Sequence, residues 1–276
     1  QYYLGKKTDS VHVEILDASG KLIRAFNGAP GDTAIKPIPS SVPGCDANRP
    51  IEPRAPTKTG LNRFRWNLRY QGAAAFDCMI LWSGNATSGP TAPPGKYQVR
   101  ISANGMTETK SFTVRRDPRI IGVTDRDMRE QFALASQINA KTNEANLAVI
   151  RIRSLRDQLR DRAATSKRPE VQSEANGINA ALTRIEEDLY QTRNRSGQDP
   201  LNFPIKLNNR LSALRRSVET GDARPTDASY TVFRELSAEL GKHLALLNGI
   251  VNRDIARFNS NAAKWGVKPI DTTPPR

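Results

Sequence analysis

The chain has little of what enzymes most often use. Its 276 residues include two histidines, two cysteines and only 6% aromatic residues. Neither His12 nor His243 falls in a nucleophile elbow, an HExxH helix or a paired Cys/His zinc spacing. There is no Gly-rich phosphate loop after a strand and no calcium-loop pattern. No apolar run approaches the roughly 18–20 residues that a membrane span requires, and the start lacks the n-region and h-region of a signal peptide. The expectation is a non-enzymatic chain without cofactor or metal. If it is exported, its signal has already been removed.

What is present is positive charge, +14 formally, divided evenly between the two halves. Such an excess favours an acidic partner: nucleic acid, an anionic membrane surface or an acidic protein face. Nucleic-acid binders concentrate charge with interleaved aromatics; the spread seen here argues against that class. Cys45 and Cys78 both lie in the first half. In an exported protein such a pair is expected to be bridged, the alternative being two unrelated buried thiols.

The first half alternates in the strand period. In "VHVEIL" Val11, Val13 and Ile15 share one face, His12 lies on the other, and "LIRAF" follows a turn. In "LNRFRWNLRY" Phe64, Trp66, Leu68 and Tyr70 point one way and Arg63, Arg65 and Arg69 the other. "GKYQVRISANGMTETKSFTV" reads as a hairpin turning at Asn104-Gly105, a pair suited to a type I′ turn. Short strands with these turn signals predict an antiparallel, Ig-like β-sandwich over 1–118. Two long Pro/Gly-rich stretches, about 27–60 and 81–95, interrupt it, and loops of that length are functional, docked or disordered.

After Pro118 the period becomes helical, which predicts an up-down four-helix bundle over 119–276 ending in a Pro-rich tail. The helices are expected at about 124–163, 169–193, 204–220 and 226–260. Thr124 is the N-cap of the first, and Pro169 sits in the first turn of the second. The inward stripes are Ile138, Ala145, Val149, Ile152, Leu155 and Leu159, then Ile178, Leu182, Ile185 and Leu189, then Leu207, Leu211, Leu214 and Val218. The last helix is the most regular, from Phe233 through Leu240 and Leu247 to Phe258.

Two arginine rows are the candidate docking residues: Arg63, Arg65 and Arg69 on the strand, and Arg151, Arg153, Arg156, Arg160 and Arg162 on the first helix. Arginines on a rigid element can grip carboxylates bidentately, and solvated faces are the plain alternative. Glu186, Glu187 and Asp188 form the densest acidic cluster, expected to be a solvated helix face rather than a glycosidase pair. His243 is expected to flank its helix stripe. Asn85 and Asn194 match the N-x-S/T acceptor pattern.

"GLNRFRWNLRY … APPGKYQVRISANG" resembles the Ig-like modules of secreted bacterial proteins. "QDPLNFPIKLNNRLSAL" and "DARPTDASYTVFRELSAEL" resemble the C-terminal region of exported bacterial BNR-repeat, sortilin-like proteins, commonly labelled glycosyl hydrolases. In that family the region follows a β-propeller, and the resemblance implies that "QYYLGKK" is the first strand after one. No catalytic residue is carried over. The resulting expectation is a non-catalytic periplasmic or otherwise extracytoplasmic scaffold. It would dock loops and basic faces onto the acidic surface of a larger membrane-bound complex, respiratory or photosynthetic, with peripheral membrane association. The other expectation is an accessory module of a glycan-active propeller enzyme, with Trp82 and Trp265 as glycan contacts.

Overall fold

Alternating Val and Ile pair into strands in the first half, and heptad-spaced Leu and Ile wind into helices in the second. The computed structural model describes residues 1–29, 38–49 and 51–274 and is mixed α+β. Its strands are β1 (Tyr2–Leu4), β2 (Val11–Asp17), β3 (Leu22–Gly28), β4 (Ile38–Pro39), β5 (Asn48–Arg49), β6 (Gly60–Asn62), β7 (Arg69–Gln71), β8 (Ser88–Thr91), β9 (Gly95–Ala103) and β10 (Met106–Val114). An antiparallel four-stranded sheet runs in the order β10-β9-β2-β3, accompanied by the pairs β1–β6, β4–β5 and β7–β8. Val11, Val13 and Ile15 of β2 are buried with Phe26 and Tyr97, while His12 lies on the outer face beside Asn27. Asn104 and Gly105 have φ of 52° and 78°, as a type I′ turn demands, and set Ala103 opposite Met106.

The stretch 61–70 is not one strand. β6 stops at Asn62 and β7 starts at Arg69; Leu68, placed inward by alternation, is exposed with φ 58°. Trp66 Nε1 donates to the Arg69 carbonyl at 2.9 Å and Asn67 Oδ1 accepts from Arg69 N at 3.1 Å. These local bonds replace a ladder and turn the chain at Leu68. Phe64, Trp66 and Tyr70 still pack on the β core.

The helices are α1 (Asp125–Thr165), α2 (Pro169–Leu189), α3 (Leu207–Val218) and α4 (Asp227–Gly249), the last continuing through a π-type turn at Ile250–Ile255 into α5 (Ala256–Trp265). Thr124 caps α1 reciprocally with Asp127, and Thr226 caps α4 through Ser229 N. α2 ends four residues short of expectation because Tyr190 leaves the helix at φ −141°. α3 begins three residues past Pro204, and α5 runs on to Gly266, whose φ of 70° stops it. α1 packs against α2, α3 and α4. Its stripe of Ile138, Ala145, Val149, Ile152 and Leu159 is fully buried, each large side chain contributing about 1.5–3 kcal/mol of transfer free energy. Among the described residues no helix is long and apolar enough to cross a membrane.

Residues 73–82, which lead into the second long loop, lie on the chain's own helices. Phe76 enters the helical core with Tyr190, their rings edge to face at 4.8 Å. Asn143 Oδ1 accepts from Ala74 N (2.8 Å) and Asn146 Nδ2 donates to the Ala74 carbonyl (2.7 Å). Tyr190 Oη donates to the Cys78 carbonyl (2.7 Å) and accepts from Ile80 N (3.1 Å); burial raises this phenol above its ordinary pKa. Asn209 binds both Trp82 N and the Trp82 carbonyl at 2.7 Å. Backbone that leaves a sheet still needs partners, and helix amides supply them. Residues 30–37 and 50 of the first loop, and 275–276 of the tail, lie outside the described residues.

Candidate functional site

Cys45 and Cys78 are joined by a disulfide with Cα atoms 6.1 Å apart. The bridge pins the first loop beside the second, and Asp46 N donates to the Arg195 carbonyl at 2.9 Å. The loop rim at Ser41–Pro43, α1 and the end of α2 thus enclose a cavity of about 620 Å³. Arg153, Arg156, Arg160 and Arg195 line it, together with Glu186, Glu187 and Asp157.

Glu186 organises the floor. Its side chain is 3% exposed; Arg153 Nε donates to Oε1 at 2.7 Å and Arg156 Nη1 donates to Oε2. Arg153 also lies over the rings of Phe76 (4.5 Å) and Tyr190 (5.5 Å), a cation–π stack that fixes its plane. Arg156 Nε donates to Asn179 Oδ1 at 3.1 Å. Arg160 donates to the Arg156 carbonyl and to Asp157. Arg195 Nη1 donates to the carbonyls of Thr192 and Asn194, and the amides of Arg195 and Ser196 donate to Asp199. Those amide bonds hold the Asp199 carboxyl below the usual carboxylate range.

The acidic cluster therefore differs from a fully solvated face. Glu187 faces the cavity and Asp188 approaches His243 Nδ1 at 3.8 Å, but Glu186 is turned inward by its position beside Ile185 on the buried stripe. A buried carboxylate requires charged partners, and the arginine row supplies two.

The other candidate arginines also serve the molecule itself. Arg151 Nη2 donates to the Thr272 carbonyl at 3.0 Å and Arg162 Nε to the Lys268 carbonyl at 2.9 Å. With Gln158 on Asp271 and Asn259 of α5 on Ile270, they strap the tail between α1 and α5. Arg69 leaves the strand row: its Nη1 donates to both oxygens of Glu219 at 3.0 Å and to the Gly89 carbonyl at 3.1 Å. Glu219, 7% exposed, further accepts from Thr91 N and from Arg215, itself 4% exposed. Desolvation lowers the Arg215 pKa, opposed by the Glu219 charge. Arg63 and Arg65 remain exposed; Gln1 Oε1 accepts from Arg63 Nη2 at 3.0 Å in the amide orientation that satisfies both.

Glu219, Arg215 and Tyr190 escaped sequence reasoning, having no motif around them, and Arg195 was passed over as the middle residue of an N-x-S/T pattern. The one signal was that Glu219 and Arg215 stand four apart at the end of a helix stripe. Asn194 is buried and cannot accept a glycan in the folded chain, whereas Asn85 is exposed. Trp82 is 41% exposed, and Trp265 packs edge to face on Phe258. Among the described residues no group of three His, Cys, Asp or Glu is placed to hold a metal. No family model, no curated protein and no solved structure matches the chain.

Proposed function

We propose that this protein is a non-catalytic, extracytoplasmic accessory subunit that docks onto an acidic surface of a larger membrane-bound complex. The observation that carries the reading is the outward face of β1 and β6. Tyr3 and Leu61 are register partners, 72% and 71% exposed, and Arg63 and Arg65 continue the exposed positions of the same segment. Tyrosine and arginine are enriched at interface hot spots, and here Tyr3 stands beside Leu61 with Arg63 and Arg65 following. The +14 charge selects an acidic partner. The Cys45–Cys78 bridge supports an oxidising, periplasmic-type compartment.

In this reading the four-stranded sheet and the smaller strand pairs around its core are an Ig-like sandwich over 1–118. The helices of 119–276 are an up-down bundle, joined to it through the segment from Ala73 to Thr91, which ends in β8. The membrane-bound complex is of respiratory or photosynthetic kind, and the contact is peripheral. Exposed Trp82 favours a second reading, an accessory module of a BNR-propeller glycan-active enzyme.

The test is co-sedimentation of the protein with membranes stripped of it. Rebinding that Arg63→Glu/Arg65→Glu abolishes supports the docking reading. Equal rebinding by wild type and variant contradicts it, and saturable polysaccharide binding lost in Trp82→Ala selects the second reading.

A further inference from the structure

The cavity over Glu186 is built for more than its internal ion pairs. Four guanidiniums and three carboxylates line it, and Asp199 stands beside Arg195 just outside the lining, so the charges of the site are close to balanced. Hydrogen-bond capacity is left over. Among the described residues, no acceptor meets Arg153 Nη2, Arg156 Nη2, Arg160 Nη1, or Arg195 Nε and Nη2. Each guanidinium has five N–H donors in a fixed fork, and here only part of every fork is used. The planes are held in advance: Arg153 by two aromatic rings, Arg156 by Asn179 and Glu186, Arg195 by two carbonyls. Pre-organised donors lose little entropy when an anion arrives.

We infer that this cavity binds a small hydroxylated monocarboxylate, its carboxylate on the unused arginine N–H groups. A site so nearly balanced in charge accepts a monoanion at less cost than a dianionic phosphate. Arg153 and Arg156 already show carboxylate recognition by gripping Glu186. Glu187 and Asp157 supply acceptors, and Thr183 and Thr192 supply hydroxyls, for the hydroxyl groups of the ligand. The site is separate from the docking face of β1 and β6, and neither reading depends on the other.

The experiment is amide NMR on the intact, oxidised chain titrated with gluconate, acetate, sorbitol and sulfate. Gluconate saturates with Kd of about 1 mM or tighter, shifting the amides of Thr183 and of Thr192 through Arg195. Acetate shifts the same amides about tenfold more weakly, and sorbitol leaves them unmoved. Arg160→Ala and Arg195→Ala each weaken gluconate at least about fivefold, while Glu187→Gln, which removes a negative charge, tightens its carboxylate end. Arg210→Ala, whose side chain pairs with Glu239 on another surface, changes nothing. Arg160 is a surface side chain, so its loss leaves the fold intact and the readout interpretable. No saturation, equal affinity for sulfate or sorbitol, or equal weakening by Arg210→Ala would overturn the inference.

Discussion

Glu186 and Glu219 are both buried carboxylates held by two arginines, yet they do different work. Glu219 sits where the β half meets α3. Arg69 and Arg215 close on it from both sides, Thr91 adds a backbone amide, and Arg215 is almost without water. Glu186 has arginines on one side and a cavity beyond them, with Arg153 and Arg156 still partly in solvent. In the first arrangement Arg215 is cut off from water, at 4% exposed, and only the Arg69 side, at 30%, reaches solvent, so the Arg215 charge answers to Glu219. The second is open, so its charges remain available. Identical residue types yield a structural joint in one place and a receptive surface in the other; a fully buried arginine marks the first and an adjoining cavity the second.

Removing each carboxylate measures that difference. Glu219→Ala strands Arg215 as an uncompensated buried cation and is expected to cost about 3–5 kcal/mol in urea denaturation. Reducing the disulfide comes next: the 33-residue separation gives about 3–4 kcal/mol on the chain-entropy relation, with the loss centred on the rim of the cavity. Glu186→Ala is expected to cost only about 1–2 kcal/mol, because water can solvate Arg153 and Arg156 through the opening. Should Glu186→Ala cost as much as Glu219→Ala, the distinction between sealed and open centres fails.

Acid sharpens the comparison without mutation. Asp127 is held below the ordinary carboxylate range by the Thr124 hydroxyl and amide, and Asp199 by the amides of Arg195 and Ser196. A lowered folded pKa means stability that is present above the unfolded value of about 4 and lost as pH falls through the folded one. The melting temperature should therefore stay level from pH 7 to about 5 and fall below about 4. Because Asp199 anchors the Arg195 side of the cavity, the protection factors of the Arg195 and Ser196 amides, taken against the intrinsic exchange rate at each pH, should fall in that same range. The smallest effect is on the outer face: Arg63→Glu/Arg65→Glu should leave stability within about 0.5 kcal/mol.

The apolar skeleton was legible in the sequence because burial imposes a period. Ile138 through Leu159, Ile178 through Leu189 and Val11 through Ile15 are buried where their spacing puts them. Thr124, Pro169 and Asn104-Gly105 carry backbone signals that act within four residues, and they too were readable. The polar joints were not. Asn146, Asn209 and Glu219 meet partners 72, 127 and 128 residues away along the chain, and no local pattern encodes so distant a partner. Leu68 misled for a related reason, since alternation cannot foresee that Trp66 and Asn67 will bond the Arg69 backbone. The arginine row on α1 could be counted from the sequence. Its division among Glu186, the tail and the cavity depends on packing.

The joint between the halves is the centre of this account, and hydrogen exchange of the Ala73–Thr91 segment tests it most directly. In Glu219→Ala the amides of residues 85–89 and Thr91 should lose protection together while those of Ala74 and Ile80, held by Asn143 and Tyr190, stay slow. If residues 85–89 and Thr91 keep their wild-type protection and only the end of α3 loosens, Glu219 is not what holds the β half to the helices.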